Sequence, residues 1–249
     1  MNSMKAGDCM KLYTLKTAII LLITMLFFAS CSGQAEEAAH GPNEEISAPN
    51  TNIAGTPPKM SILATQELIP GIFAVESGKS NFFLVKSGES YIAIDAGELN
   101  SKKAKNRLDR LGISSDDIAV VLLTHTDGDH TGAINLFGEA TVYWGALSSE
   151  TWETLTDGEA IEVLGMLVQC IYTRGHRKDS VCYLIDGKYL FSGDTLSLRG
   201  NHIKLFISDY NDSDEVQEED IIGLSNIAGI EYIFTAHHGY TDNPVFPQI

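Results

Sequence analysis

Residues 117–132 read Asp117-Ile-Ala-Val-Val-Leu-Leu-Thr124, then His125-Thr126-Asp127-Gly128-Asp129-His130-Thr131-Gly132. The first half is a continuous apolar run, the pattern of a strand buried on both faces. The second half sets four side chains able to hold a metal ion within six residues: His125, Asp127, Asp129 and His130. They fall on a loop at the C-terminal end of that strand, where α/β folds gather ligands. Asp127-Gly128-Asp129 favours a tight turn, so several of these groups can converge on one point.

Upstream, short apolar runs at Ile72–Val75, Asn81–Val85 and Tyr91–Ile94 are separated by Gly-containing turns and read as a β-meander. Asn100 is placed to cap a helix over SKKAKNRLDRL, which Gly112 ends. Downstream, strands are expected at Thr141–Trp144, Ile161–Leu164, Leu167–Tyr172, Val181–Ile185 and Tyr189–Ser192, the last two joined by Asp186-Gly187 as a hairpin. A second helix starts near the acidic stretch Asp212–Asp220, with Val216, Ile221, Leu224 and Ile227 on its apolar face, and Tyr232–Thr235 is the final strand. The acidic stretch lacks the Gly and the closing Glu of a calcium loop and reads as a solvated helix start.

The placement of polar residues at strand ends repeats. His176 follows MLVQCIYT, Asp194 follows YLFS, and His237 and His238 follow YIF, each beside a Gly. One Asp or His in a turn is ordinary; the ordered set is not.

That set resembles the metallo-β-lactamase fold superfamily of metallohydrolases over roughly residues 62–245. Its His-x-His-x-Asp-His motif matches His125, Asp129 and His130, its Gly-His motif matches Gly175-His176, its bridging Asp matches Asp194, and its last His matches His237. Asp95, closing the strand before Ala96-Gly97, matches the Asp that braces the metal loop. The resemblance implies a four-layer αβ/βα sandwich, two mixed sheets with helices outside. It also implies two divalent ions, one on His125, Asp127 and His176, the other on Asp129, His130 and His237, with Asp194 between them.

Two departures stand out: Asp127 replaces the motif's second His, and Arg177-Lys178-Asp179 replaces the common Thr-Pro-Gly, with Ser180 retained. A carboxylate is a harder ligand than imidazole, competent for Zn²⁺ and better suited to iron or manganese. Zn²⁺ is the expected ion; iron and manganese stay open because of Asp127. His237 is the expected ligand, leaving His238 to line the pocket. Asp194, where subclass B1 β-lactamases carry Cys, disfavours antibiotic hydrolysis of that kind.

The expected activity is metal-dependent hydrolysis, a hydroxide held by the ions attacking an ester, thioester, lactam or phosphoester of a small, anionic substrate. Asp129 would orient the water and take its proton, with His238 assisting. Arg174, Arg177, Lys178, Arg199 and Lys204 could receive the anion or serve solubility alone. The alternatives are a non-haem iron oxidoreductase of the same fold and a non-catalytic, lipid-tethered metal-binding module.

The rest of the 249 residues sets the context. Lys11 and Lys16 precede an uncharged run from Thr17 to Ala29, too short for a comfortable bilayer span and suited to a signal h-region. It ends at Phe28-Ala29-Ser30-Cys31, which resembles the lipobox of bacterial lipoproteins with Cys31 as the lipidated residue. Residues 1–30 then form a signal peptide, 31–60 a polar tether and 61–249 the folded domain, exported and anchored to a bacterial membrane by an N-terminal lipid. Removing residues 1–30 shifts the formal charge from −16 to −18, leaving 32 acids against 14 bases. Such acidity argues against nucleic acid as a partner and leaves oligomeric state open. Cys170 and Cys182 are the thiols of the folded part; a disulfide between them is permitted in an exported chain, and buried free thiols are the favoured reading.

Overall fold

The computed structural model describes residues 60–145 and 152–248. The signal, the lipidation residue Cys31 and the tether fall outside the described residues. Two mixed sheets face each other. In the first, β1 (Gln66–Ile69), β2 (Ile72–Ser77), β3 (Ser80–Ser87) and β4 (Ser90–Ile94) form the expected antiparallel meander. β5 (Ile118–Leu123), β6 (Thr141–Gly145) and β7 (Glu153–Leu155) then add in parallel. The crossover from β4 to β5 runs through α1 (Ser101–Leu111), where the Asn100 side chain accepts from Lys103 N–H and Gly112 closes the C-terminus.

The second sheet runs in the order β15 (Gly239–Thr241), β14 (Tyr232–Thr235), β11 (Tyr189–Phe191), β10 (Val181–Ile185), β9 (Met166–Tyr172) and β8 (Ala160–Val163). Its parallel pair is β11 with β14, which α3 (Asp214–Ser225) connects after a small hairpin, β12 (Ser197–Arg199) with β13 (His202–Lys204). The metal-motif loop carries a single helical turn, α2 (Gly128–Thr131).

Three apolar clusters show the four layers. Ile94, Leu122 and Phe83 of the first sheet meet Val168, Tyr183 and Phe191 of the second at the centre. The outer face of the first sheet packs on Ala104 and Leu108 of α1, and that of the second on Ile221 and Leu224 of α3. One sequence expectation changes here. Val216 is exposed, and Gln217 takes the inward position on α3 because its amide bonds to Phe206 N, Asn211 Nδ2 and the Asp194 carbonyl. Cys170 and Cys182 are buried free thiols, the favoured reading, on opposite faces of the second sheet, one in the central cluster and one under α3. Among the described residues no helix is long and apolar enough to cross a membrane.

What positions the site is the seam between the sheets. Val181 N–H donates to the Thr124 carbonyl at 2.8 Å and the Tyr183 hydroxyl to the Leu123 carbonyl at 2.9 Å. The C-terminal ends of β4, β5, β9, β11 and β14 therefore open onto one edge.

Candidate metal centre

Each expected ligand leaves the end of a strand. Asp95 follows β4 with φ +64°, a left-handed conformation that Asp tolerates better than most residues. Its Oδ1 accepts from Thr124 N–H at 2.8 Å, and its Oδ2 meets His130 Nδ1 at 2.8 Å. The turn that carries Asp194 depends on Gly193: at φ +51°, a Cβ there would lie 2.4 Å from Thr124 Oγ1. Gly175 performs the same service for His176, because a Cβ would come within 2.3 Å of Gln217 N.

All four histidines are built alike. Nδ1 of His125 meets Thr124 Oγ1 at 3.1 Å, that of His130 meets Asp95, that of His176 meets Asn211 Oδ1 at 3.1 Å, and that of His237 meets the Lys79 carbonyl at 2.7 Å. The four Nε2 atoms are buried with no hydrogen-bond partner, as is Asp194 Oδ1. Orphaned buried nitrogens are costly unless something else satisfies them. Here they converge: His125 with Asp127 and His176, Asp129 with His130 and His237, and His125 with His130 and Asp194 each bring one ligand atom per residue within 4.8 Å of one another. Asp194 Oδ2 lies 3.6 Å from His176 Nε2 and Oδ1 lies 3.2 Å from His237 Nε2, so the carboxylate faces both groups. Imidazoles anchored through one nitrogen, with the other aimed at carboxylates, are how proteins hold a divalent ion, and the donor set fits two.

Electrostatics agree. Burial pushes His125 well below its usual pKa, with His130 adding to the effect. Burial opposes the charged forms of His130 and His237 too, but Asp194 with Asp95 lifts His130 well above its usual value, and Asp129 with Asp194 brings His237 to about 9. Burial also works against Asp194 as a carboxylate, yet His130 and His237 hold it well below the usual range. The carboxylates are thus kept anionic by protons that a dication would displace.

His238 is not brought to this centre. It is buried with its ring 5.7 Å from that of Phe206, and it joins none of the three clusters. Of the basic residues singled out by sequence, Arg177 reaches the site and Arg174 instead lies over the Tyr172 ring at 4.4 Å. Sequence reading missed Asn211, the Lys79 carbonyl and the cavity above the cluster. That cavity, about 390 Å³, is lined by Asp127, Asp129, Asp194, His176 and His237 on its floor, and by Met60, Phe206, Ile207 and Tyr210 with Lys79 and Arg177 around it.

Residues 76–169 match the metallo-beta-lactamase superfamily. This stretch of the chain belongs to the metallo-β-lactamase superfamily. A structure from it, a metallo-beta-lactamase family protein of Thermus thermophilus, superposes with a TM-score of 0.57 at 20% identity over 71% of this chain and 76% of that one. Among curated members, Lactamase-like protein aptB of Emericella nidulans is 30% identical over 54% of this chain and 45% of its own length. An atrochrysone carboxyl ACP thioesterase of Aspergillus chevalieri is 26% identical over 73% of this chain and 57% of its own. The chain thus spans about half the length of these curated relatives. Superfamily proteins bind divalent metals, and the His/Asp clusters are where this chain would hold them.

Proposed function

We propose that the chain is a metal-dependent hydrolase acting on the ester or thioester bond of a small anionic substrate. The observation that carries this is the set of four anchored histidines whose Nε2 atoms converge, unpartnered, on Asp127, Asp129 and Asp194 below an open cavity. Two divalent ions held there would supply water activation and stabilisation of the developing oxyanion. His125, Asp127 and His176 would hold one, Asp129, His130 and His237 the other, and Asp194 would face both.

The chain's own residues do the rest. Asp129 Oδ2, 3.3 Å from His237 Nε2, is the cavity carboxylate placed to orient the attacking water and take its proton. It stays ionised because the adjacent His237 and His130 outweigh its burial. Phe206, Ile207, Tyr210 and Met60 form an apolar wall that seats the acyl portion. Lys79 is exposed at the cavity and is placed to receive the anion. The thioesterase among the relatives supports an acyl bond over a phosphoester.

Asp127 in a ligand cluster is the observation that keeps iron and manganese open beside the expected Zn²⁺. A panel of chromogenic esters, thioesters, phosphodiesters and lactams with Zn²⁺, Mn²⁺ or Fe²⁺ tests substrate class and metal together. Turnover of esters or thioesters that a chelator abolishes is expected, and metal-independent turnover defeats the proposal. For the site of action we infer export and lipid anchoring at Cys31, so that Cys31→Ala should release the chain from membranes; an unchanged membrane fraction defeats that placement.

A further inference from the structure

The two departures from the superfamily pattern touch each other. Arg177 Nε meets Asp127 Oδ1 at 3.2 Å and Nη2 meets Oδ2 at 2.9 Å, a two-point grip between residues 50 apart in sequence. Asp127 Oδ2 is also the oxygen that faces His125 Nε2 at 3.8 Å and His176 Nε2 at 3.7 Å. The guanidinium is held independently, since Nη1 donates to the His176 carbonyl at 2.9 Å and to the Tyr210 carbonyl. The same turn grips the motif loop again: Asp179 Oδ2 accepts from Thr126 N–H at 3.0 Å and from Thr126 Oγ1 at 2.7 Å. Arg177 and Asp179 together lock the altered turn onto Thr126-Asp127.

We propose that Asp127 and Arg177 act as one unit that stands in for a neutral imidazole ligand at the first metal site. This rests on the metal-site reading above. A carboxylate alone would add a negative charge to the His125–His176 pair. With the guanidinium on it the net charge returns to zero, the value a neutral His would contribute, while one carboxylate oxygen stays directed at the two Nε2 atoms. Arg177 is therefore a positioning and charge-compensating residue. Planar and bidentate, it suits this role better than Lys. Removing either partner alone unbalances the site. Losing Arg177 frees the carboxylate from its fixed orientation, and replacing Asp127 by His leaves a fixed cation beside a dication.

The unit makes a sign-specific prediction. Zn²⁺ is titrated into the full chain against a chromophoric chelator, and the dissociation constant that disappears in the His176→Ala variant is assigned to the first site. R177M should weaken that constant roughly tenfold, as loss of a group orienting a ligand typically does. D127H should weaken it by a similar factor. In the D127H background, R177M should instead strengthen binding, bringing the double variant to within a few-fold of wild type. Co²⁺ absorption spectra should show a changed ligand field in D127H and in the double variant. Should R177M not fold, R177Q is read by the same criterion. An Arg177 substitution with the same sign in both backgrounds, or without effect in either, overturns the pairing. Absence of any Zn²⁺ binding by the wild-type chain would instead overturn the metal-site reading itself.

Discussion

Asp95→Asn isolates the bracing of one ligand from the fold around it. The backbone at φ +64° accepts Asn as readily as Asp, so strain is unchanged. Asn Oδ1 can still accept from Thr124 N–H, the bond made at 2.8 Å in the native chain. The new amide nitrogen, however, faces His130 Nδ1, which Asp95 Oδ2 contacts at 2.8 Å. To keep a hydrogen bond there His130 must accept through Nδ1, which moves its proton to Nε2, the atom that has to bind a metal. Otherwise the bond is lost. Either way the cost is that of a charged hydrogen bond, about 1.5–3 kcal/mol. At about 1.4 kcal/mol per factor of ten, this is a loss of roughly 10- to 150-fold in affinity for the ion at Asp129, His130 and His237. Chelator competition with Zn²⁺ measures it, and near-UV circular dichroism of the metal-free protein confirms that packing survives. An affinity within twofold of wild type, with native spectra, refutes the role assigned to Asp95.

Four further outcomes are expected. His237 is held up to about 9, so its contribution to the stability of the metal-free chain is complete below about pH 6.5 and fades as pH rises through 9; calorimetry in excess EDTA should show the midpoint falling across that window while metal affinity rises, and a flat profile contradicts the assignment. Asp220, which accepts from Gly175 N–H at 2.9 Å, is pushed up to about 6 by burial, so the stability it contributes is lost as pH rises through 6; Asp220→Asn should raise the melting temperature at pH 7.5 and leave it unchanged near pH 4. Asp129→Ala and His130→Ala should each remove bound metal and turnover together, which metal analysis beside an ester assay will show. Leu108→Ala, at a fully buried position under the first sheet, should cost about 2–5 kcal/mol in urea unfolding without changing metal stoichiometry.

Much of this architecture was legible from sequence, for a physical reason. β5 and β10 are buried on both faces and so read as continuous apolar runs. Asn100 and Gly112 marked both ends of α1. The candidate ligands stood out because strands deliver them beside turn residues. The edge strands Gln66–Ile69 and Glu153–Leu155 and the hairpin of Ser197–Arg199 with His202–Lys204 did not, being short and in part exposed, with pairing set by neighbours. The partners of the ligands were hidden more thoroughly. His237 is oriented by the Lys79 carbonyl, a group every residue possesses, 158 positions away. Asn211 sat just before an acidic stretch whose composition suggested only solvation, and its amide contact with His176 exists because Gly175 lets α3 approach. His238 was expected at the pocket because it neighbours His237; both lie in the turn between β14 and β15, where the His238 ring packs against Phe206 while His237 Nε2 faces Asp129 and Asp194.

The seam described above has a consequence for survival as well as for chemistry. His125, Asp127, Asp129 and His130 come from the first sheet, and His176, Asp194 and His237 from the second. A dication held by both groups is a cross-link between the halves of the sandwich, and prying the halves apart requires releasing it. Bound metal would therefore raise the equilibrium stability by RT ln(1 + [metal]/Kd) and, as a cross-link, raise the barrier to opening as well. A chain stripped of such ions would then be the one that proteases open more readily.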